Sequence, residues 1–406
     1  MRLYVPIGVA GLLLAWSTLT VFPATNVPLW LLAIGATEFG HYLALLALGW
    51  CAWCVVAAVR GSAPARGFAF AGAAMSAAAA LLFLRPVGSA WWLARDLPAE
   101  LDESFAGTDT ARTSGPSPLS VGRLVWPSQV PDVAVETHVF AYADSADALK
   151  LDFYRARGHA PVPCLVVIHG GGWDAGDRRE FAAMNRVLAH RGYAVAAISY
   201  RLAPRHPWPA QREDTLAALA WLKARSSSLG VDPTRFVLFG RSAGGQIASA
   251  VGYSARDPAI RGVVAYYAPH DMPFVWSIAR EDDVLNSVKL MTQYLGGPPD
   301  GARVDRYHSA SAQALVVAGR TPPTLLVHGR LDELVWAEHS RRLAARLREA
   351  RIPSHLLELP WGTHGLDFNR DGPGGQLSAY ALGRFLAVVA PIFEISEAGP
   401  AGVPEP

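Results

Sequence analysis

The sequence predicts an α/β domain built on a mainly parallel sheet with helices on both faces, preceded by an N-terminal α-helical transmembrane region. Three observations carry this prediction. Residues 1–95 hold very few charged side chains, a polar stretch rich in Ser, Thr, Gly and Pro follows, and the rest alternates short apolar runs with amphipathic segments. Overall the chain is nearly neutral: of 406 residues, Lys+Arg 36 face Asp+Glu 34, a formal charge of +2. That balance excludes nucleic acid as a partner. Charged residues make up only 17%, where about 25% is usual for soluble proteins. Three cysteines (Cys51, Cys54, Cys164) are too few for a disulfide scaffold or a Cys-rich zinc site, and no metal site is expected.

Residues 1–95 read as a membrane region with about three transmembrane helices. Arg2 and Glu38 are the only charges before Arg60. Leu3 to Phe22, about Phe39 to Val59, and Gly67 to Leu84 each approach the roughly 20 residues that cross about 30 Å of hydrocarbon as helix. The third is short and Ala-rich, so a two-span arrangement is the alternative. Glu38 is placed as an interfacial carboxylate at the entrance of the second span, because a charge at a helix centre costs roughly 2.5 to 3.5 kcal/mol. Arg2, Arg60 and Arg66 flank the spans, while the loop Pro23 to Thr37 carries no Lys or Arg. The positive-inside rule then sets the N-terminus in the cytoplasm. Three spans make the chain a multi-pass protein of the cell membrane with everything after Leu84 on the non-cytoplasmic face; two spans reverse that side.

Residues 96–131 read as a polar linker, since such a composition buries too little apolar surface to fold alone. Residues 396–406 read as a disordered tail. Between them, residues 132–395 form the folded domain. Cys164 to Ile168, Ala194 to Ser199, Phe236 to Phe239, Gly262 to Tyr267 and Thr324 to Val327 are buried strands by composition, with helical stretches between most of them. Such repetition gives a parallel sheet covered on both faces. Val133 to Tyr142 and Leu149 to Tyr154 alternate more and suit an antiparallel pair at one edge. About 271–311 is longer than a simple connection and is expected to cap the site.

The chemistry-bearing residues lie at strand ends. Gly240-Arg-Ser242-Ala-Gly244 sits where a strand meets a helix, the context of a nucleophile elbow, in which flanking glycines leave the serine Oγ standing clear. His169-Gly-Gly-Gly-Trp173 follows a strand directly. Stacked glycines let backbone N–H groups approach a developing oxyanion, and Gly171 and Gly172, with the N–H of Ala243, are the expected donors. A phosphate loop is the competing reading of three glycines, but no Gly-Lys-Ser/Thr follows. His328-Gly-Arg-Leu-Asp332 and Gly362-Thr-His364 close the set. Asp332 is preferred to Glu333 as the carboxylate that orients the His364 imidazole, having the shorter side chain just after the turn. Trp173 and Arg241 are candidate substrate-binding residues; for Trp173 a wedge supporting the loop is the other reading.

With the order Ser242, Asp332, His364, the chain resembles the hormone-sensitive-lipase-like and carboxylesterase branch of the α/β-hydrolase superfamily over about Val133 to Ala390. Ser199-Tyr-Arg-Leu-Ala-Pro204 and Gly230-Val-Asp-Pro-Thr-Arg235 are similar to segments of that family. Arg241 departs from the acidic residue often found before the serine. The resemblance implies an α/β-hydrolase fold, Ser242 as nucleophile, His364 as base then acid, Asp332 as orienter and no cofactor. It implies hydrolysis of a small-molecule or lipid-associated carboxylic ester, with membrane lipids as partners of the N-terminal helices. Amide or formamide hydrolysis and acyl transfer on the same triad are the alternatives, and a non-catalytic binding module is the reading from another class.

Overall fold

The structure, a computed structural model of the chain, describes residues 4–105, 117–142, 148–158 and 161–392. Its centre is an eight-stranded sheet: β1 (Val135–Tyr142), β2 (Ala148–Tyr154), β3 (Val162–Ile168), β4 (Ala194–Ile198), β5 (Val231–Arg241), β6 (Ile260–Tyr266), β7 (Thr324–Gly329) and β8 (Ser354–Leu359), in the order β1-β2-β4-β3-β5-β6-β7-β8. β1 and β2 form the expected antiparallel edge, β2 also meets β4 antiparallel, and every pair from β4 through β8 is parallel. Every residue of β3 and β4 is buried, which explains their continuous apolar runs: a parallel sheet covered on both faces has no solvent side to alternate with.

The helices in chain order are α1 (Val5–Ser17), α2 (Val27–Glu38), α3 (Gly40–Arg60), α4 (Ala63–Phe105), α5 (Val121–Val125), α6 (Ala182–His190), α7 (Ala210–Ala224), α8 (Ser226–Leu229), α9 (Ala243–Ser254), α10 (Met272–Ile278), α11 (Ser287–Leu295), α12 (Arg303–Ala310), α13 (Ala312–Leu315), α14 (Glu338–Glu349) and α15 (Pro373–Val389). One face of the sheet packs on α7 and α9 through Leu219, Leu222, Ile247 and Val251. The other packs on α6 and α15 through Leu188, Leu377, Leu382 and Phe385. α10, α11 and α12 occupy the expected cap segment.

Two features of the N-terminal half differ from the sequence expectation. First, residues 96–105 are not linker. α4 continues through them to Phe105, and Leu97, Leu101 and Phe105 are buried in the α6–α15 core, with the Phe105 ring 5.1 Å from Phe385. The spacing of four places all three on one helical face; the Ser/Thr/Gly-rich run just beyond masked that pattern. Leu119 and Leu124 are buried as well, and the Ser120 N–H donates to Gln376 Oε1 at 2.8 Å. Second, the loop Pro23 to Thr37 is largely helix, namely α2. Residues 106–116 of the expected linker and the expected tail 396–406 lie outside the described residues.

α1, α3 and α4 form an antiparallel bundle. Near one end the Trp50 indole donates to the Pro6 carbonyl at 3.2 Å; at the other, Thr20 Oγ1 donates to Leu82 O at 3.1 Å and Arg85 donates to Thr20 O. Among the described residues two helices, Gly40–Arg60 and Ala63–Phe105, are long and apolar enough to cross a membrane, whereas the helical run Val5–Thr20 is shorter. α3 turns Leu45, Leu46, Trp53, Val56 and Val59 outward. α2 lies at the end of the bundle that meets the sheet domain.

Candidate active site

Ser242 sits between β5 and α9 with φ 52° and ψ −124°, a left-handed conformation that a non-glycine residue holds only under strain. Its neighbours make the turn. A Cβ on Gly240 would lie 2.0 Å from the Gly244 carbonyl oxygen, and one on Gly244 would lie 2.2 Å from that of Ile168. Only glycine fits either place, which is the physical content of the Gly-x-Ser-x-Gly pattern.

Loops at the C-terminal ends of β7 and β8 bring the other two residues. Ser242 Oγ lies 2.9 Å from His364 Nε2, and His364 Nδ1 lies 2.7 Å from Asp332 Oδ2. The second Asp332 oxygen accepts from the N–H groups of Leu334 and Val335 at 2.9 and 3.0 Å. His328 Nε2 stands 3.4 Å from Asp332 Oδ2, and its Nδ1 is 2.7 Å from Ser340 Oγ. Burial alone would raise the Asp332 pKa, but the imidazoles of His364 and His328 outweigh it and hold it down at about 2. Glu333 makes no bond to His364; it lines the cavity, and burial beside Asp332 raises its pKa.

The glycine loop after β3 folds over the serine. Gly171 and Gly172 have φ 98° and 58°, and the Gly171 carbonyl accepts from Asp174 and Ala175 N–H at 3.2 and 2.9 Å. Among the described residues the N–H groups of Gly171, Gly172 and Ala243 donate to no backbone carbonyl, and all three residues line one cavity with Ser242 and His364. His169 holds the loop: its Nδ1 is 2.8 Å from Gly170 O and its ring stacks on Tyr200 at 4.1 Å. Trp173 is both wall and wedge, lining the cavity while its ring stacks on Tyr294 of α11 at 4.3 Å and its Nε1 donates to Gln246 at 2.9 Å. The cavity measures about 1110 Å³, and Val275, Leu290 and Met291 form its cap side.

Arg241 lines the cavity, as the sequence reading placed it, and its guanidinium is held within the protein: Nε donates to Asp367 Oδ2 at 2.6 Å, and the planar group lies 4.0 Å from the centre of the Phe181 ring and 4.5 Å from that of Phe239. Tyr267 OH donates to the other Asp367 oxygen at 2.7 Å, while its ring meets the His364 ring edge-on at 4.6 Å. The arginine thus ties the elbow to the His364 loop through Asp367. The sequence reading assigns no role to Asp367, Tyr267 or His328; Asp367 lies three residues after His364, but no spacing rule marks it as the arginine's partner.

Glu38 corrects the placement as an interfacial carboxylate. It is fully buried against the sheet domain: Oε2 accepts from Gly374 N at 3.0 Å, and the Trp361 indole lies 3.4 Å from Oε1. Burial pushes its pKa up to about 8, partly opposed by those two donors.

A strained serine at a β5–α9 elbow, bonded to a histidine and through it to an aspartate, with open N–H groups beside it, defines a hydrolase-type site on a doubly covered parallel sheet. Known proteins sharpen this. The family model described as BD-FAE matches residues 151–347. The chain is 31% identical over 317 residues to the probable carboxylic ester hydrolase LipM of Mycobacterium tuberculosis, covering 73% of this chain and 69% of that one. It is 30% identical over 265 residues to the esterase LipC of the same organism, covering 60% of this chain and 63% of LipC. Among solved structures, a bacterial heroin esterase superposes with a TM-score of 0.56 at 25% identity, over 66% of this chain and 88% of that one. The chain belongs to the α/β-hydrolase superfamily, in its hormone-sensitive-lipase-like carboxylesterase branch, and is an enzyme of the carboxylic ester hydrolase class.

Proposed function

We propose that the protein is a membrane-anchored serine esterase working through an acyl-enzyme. The reading is carried by the chain Ser242 Oγ, His364, Asp332 at 2.9 and 2.7 Å, opening onto an apolar cavity. Ser242 Oγ attacks the ester carbonyl as its proton passes to His364 Nε2, and Asp332 stabilises the imidazolium. The oxyanion is received by the N–H groups of Gly171, Gly172 and Ala243, each of which is worth roughly 3 kcal/mol in the transition state. On collapse His364 returns the proton to the leaving alkoxide, and the acyl group stays on Ser242. Water, deprotonated by His364, then releases the acid.

Membrane anchoring is supported by two helices long and apolar enough to cross a bilayer and by the outward-facing Leu45, Leu46, Trp53, Val56 and Val59 of α3. In this reading the shorter α1 crosses together with α3 and α4, membrane lipids surround the helices, and the catalytic domain lies on the non-cytoplasmic face of the cell membrane. The substrate class is a small-molecule or lipid-associated ester. Hydrolysis of aryl esters with acyl chains of different length by wild type and Ser242→Ala tests the chemistry; retained turnover in the variant would remove the triad from the account. A reporter fused after Trp92 tests the side, and cytoplasmic reporter activity would reverse it.

A further inference from the structure

One wall of the cavity above Ser242 comes from outside the hydrolase sheet. Trp30, Leu31 and Ile34 of α2, with Thr25 just before it, line the same space as Ser242 and His364. α2 is fastened along its length to the loop that carries His364. The Trp30 indole donates to the His364 carbonyl at 2.7 Å. Ile34 Cδ1 lies 3.5 Å from where a Cβ on Gly365 would stand. At the C-terminal end, Glu38 binds Gly374 through its carboxyl, and its carbonyl accepts from Asn369 Nδ2 at 2.9 Å. Asn26 caps the other end, its Oδ1 accepting from Leu29 N–H at 3.0 Å.

The two sides of this helix differ in surroundings. Ile34 is 8% exposed and lies deep in the wall, while Leu31 is 58% exposed and sits at the mouth. Phe22, Val27 and Leu32 are exposed around it, and Trp336 and Phe368 are exposed on the catalytic side. α2 also joins α1 to α3 at the end of the bundle where Gly40 approaches the Phe83 carbonyl. If α3 crosses the bilayer, α2 and this apolar rim stand where the helices emerge from it, so the mouth of the cavity faces the lipid surface.

We propose that α2 is the specificity wall of this enzyme: Trp30 positions the His364 loop, Leu31 and Ile34 bound a channel for the apolar chain of the ester, and the channel fills directly from the lipid phase. The inference rests on the esterase and membrane readings above and adds the substrate class, a long-chain ester dissolved in the bilayer.

The test uses full-length protein in phosphatidylcholine vesicles and aryl esters from acetyl to hexadecanoyl, with fluorophosphonate labelling of Ser242 reporting an assembled site. Ile34→Trp narrows the wall and is expected to lower the ratio of kcat/KM for dodecanoyl over acetyl ester at least tenfold, whereas Ile34→Ala opens it and raises the preferred chain length. Leu31→Trp, at the exposed mouth, repeats the first result without disturbing buried packing. Trp30→Phe keeps an aromatic ring but removes the donor, and should lower kcat at least fivefold with KM within about twofold. Unchanged chain-length ratios in the labelled Ile34 and Leu31 variants would overturn the proposal. For the route, dodecanoyl ester in the enzyme's own vesicles should turn over at least tenfold faster than the same ester in separate, enzyme-free vesicles; equal rates would overturn delivery from lipid. Absence of both labelling and hydrolysis in wild type would instead sink the esterase reading itself.

Discussion

Phe105→Ala separates a docked helix from a tether. Phe105 ends α4, is 6% exposed, and lies 5.1 Å from Phe385 in the core shared with α15. Truncating a buried Phe removes its transfer free energy and leaves a cavity, together about 3 to 5 kcal/mol. Domains are stable by only about 5 to 15 kcal/mol, so the loss would take a large share of the total. With a urea slope of about 1 to 3 kcal/mol/M, the unfolding midpoint should fall by one molar or more. The assay is urea unfolding of detergent-solubilised full-length protein followed by tryptophan fluorescence, with Val121→Ala, at a side chain 53% exposed, as the control. A loss below about 1 kcal/mol in Phe105→Ala, equal to the control, would mean that residues 96–105 are the linker the composition predicted and that α4 does not complete the fold.

Three further outcomes follow from the site. Asp332→Asn should lower kcat by about 10⁴ with little change in KM, because the imidazole loses the carboxylate that fixes its tautomer; steady-state kinetics within tenfold of wild type would contradict the assigned role. Arg241→Met leaves Asp367 buried with only the Tyr267 hydroxyl and should cost about 3 to 5 kcal/mol of stability, read by urea unfolding; a loss under about 1 kcal/mol would mean the pair braces nothing. Glu38 has a folded pKa raised to about 8 from 4.5, so its contribution is full below about pH 4.5 and is lost as pH rises through about 8, since the unfolded chain gives up its proton first. Wild type should therefore lose several degrees of melting temperature between pH 5 and 9 that Glu38→Gln does not lose, and equal slopes would show that the carboxyl is not buried in the folded protein.

The catalytic half was legible because its signals are local. Continuous apolar runs gave β3, β4, β5, β6 and β7, and the glycines around Ser242 announced a turn that only glycine tolerates. Their places just past apolar runs, with the shorter side chain favouring Asp332 over Glu333, then picked out Asp332 and His364. What stayed hidden depends on distant partners. Nothing near Arg241 says that Asp367 closes over it, or that Phe181 and Phe239 sandwich it. In the N-terminal half, the uncharged loop before Glu38 entered only the orientation argument, whereas its apolar residues form α2, docked on the His364 loop. Glu38 illustrates the limit of a hydropathy argument: a lone carboxylate near a span can be buried in protein instead of lying at the lipid surface. Leu97, Leu101 and Phe105 carried a readable spacing, overridden by the composition of the residues after them.

The central claim is that Ser242 is the atom-bonding residue of an acyl-enzyme. Its most direct test is mass spectrometry of full-length protein after reaction with a fluorophosphonate, followed by peptide mapping. The account predicts a single stoichiometric adduct on the peptide containing Ser242, loss of ester hydrolysis in parallel with labelling, and no adduct in Ser242→Ala. Hydrolysis that persists with Ser242 fully modified, or an adduct on another residue, would contradict it.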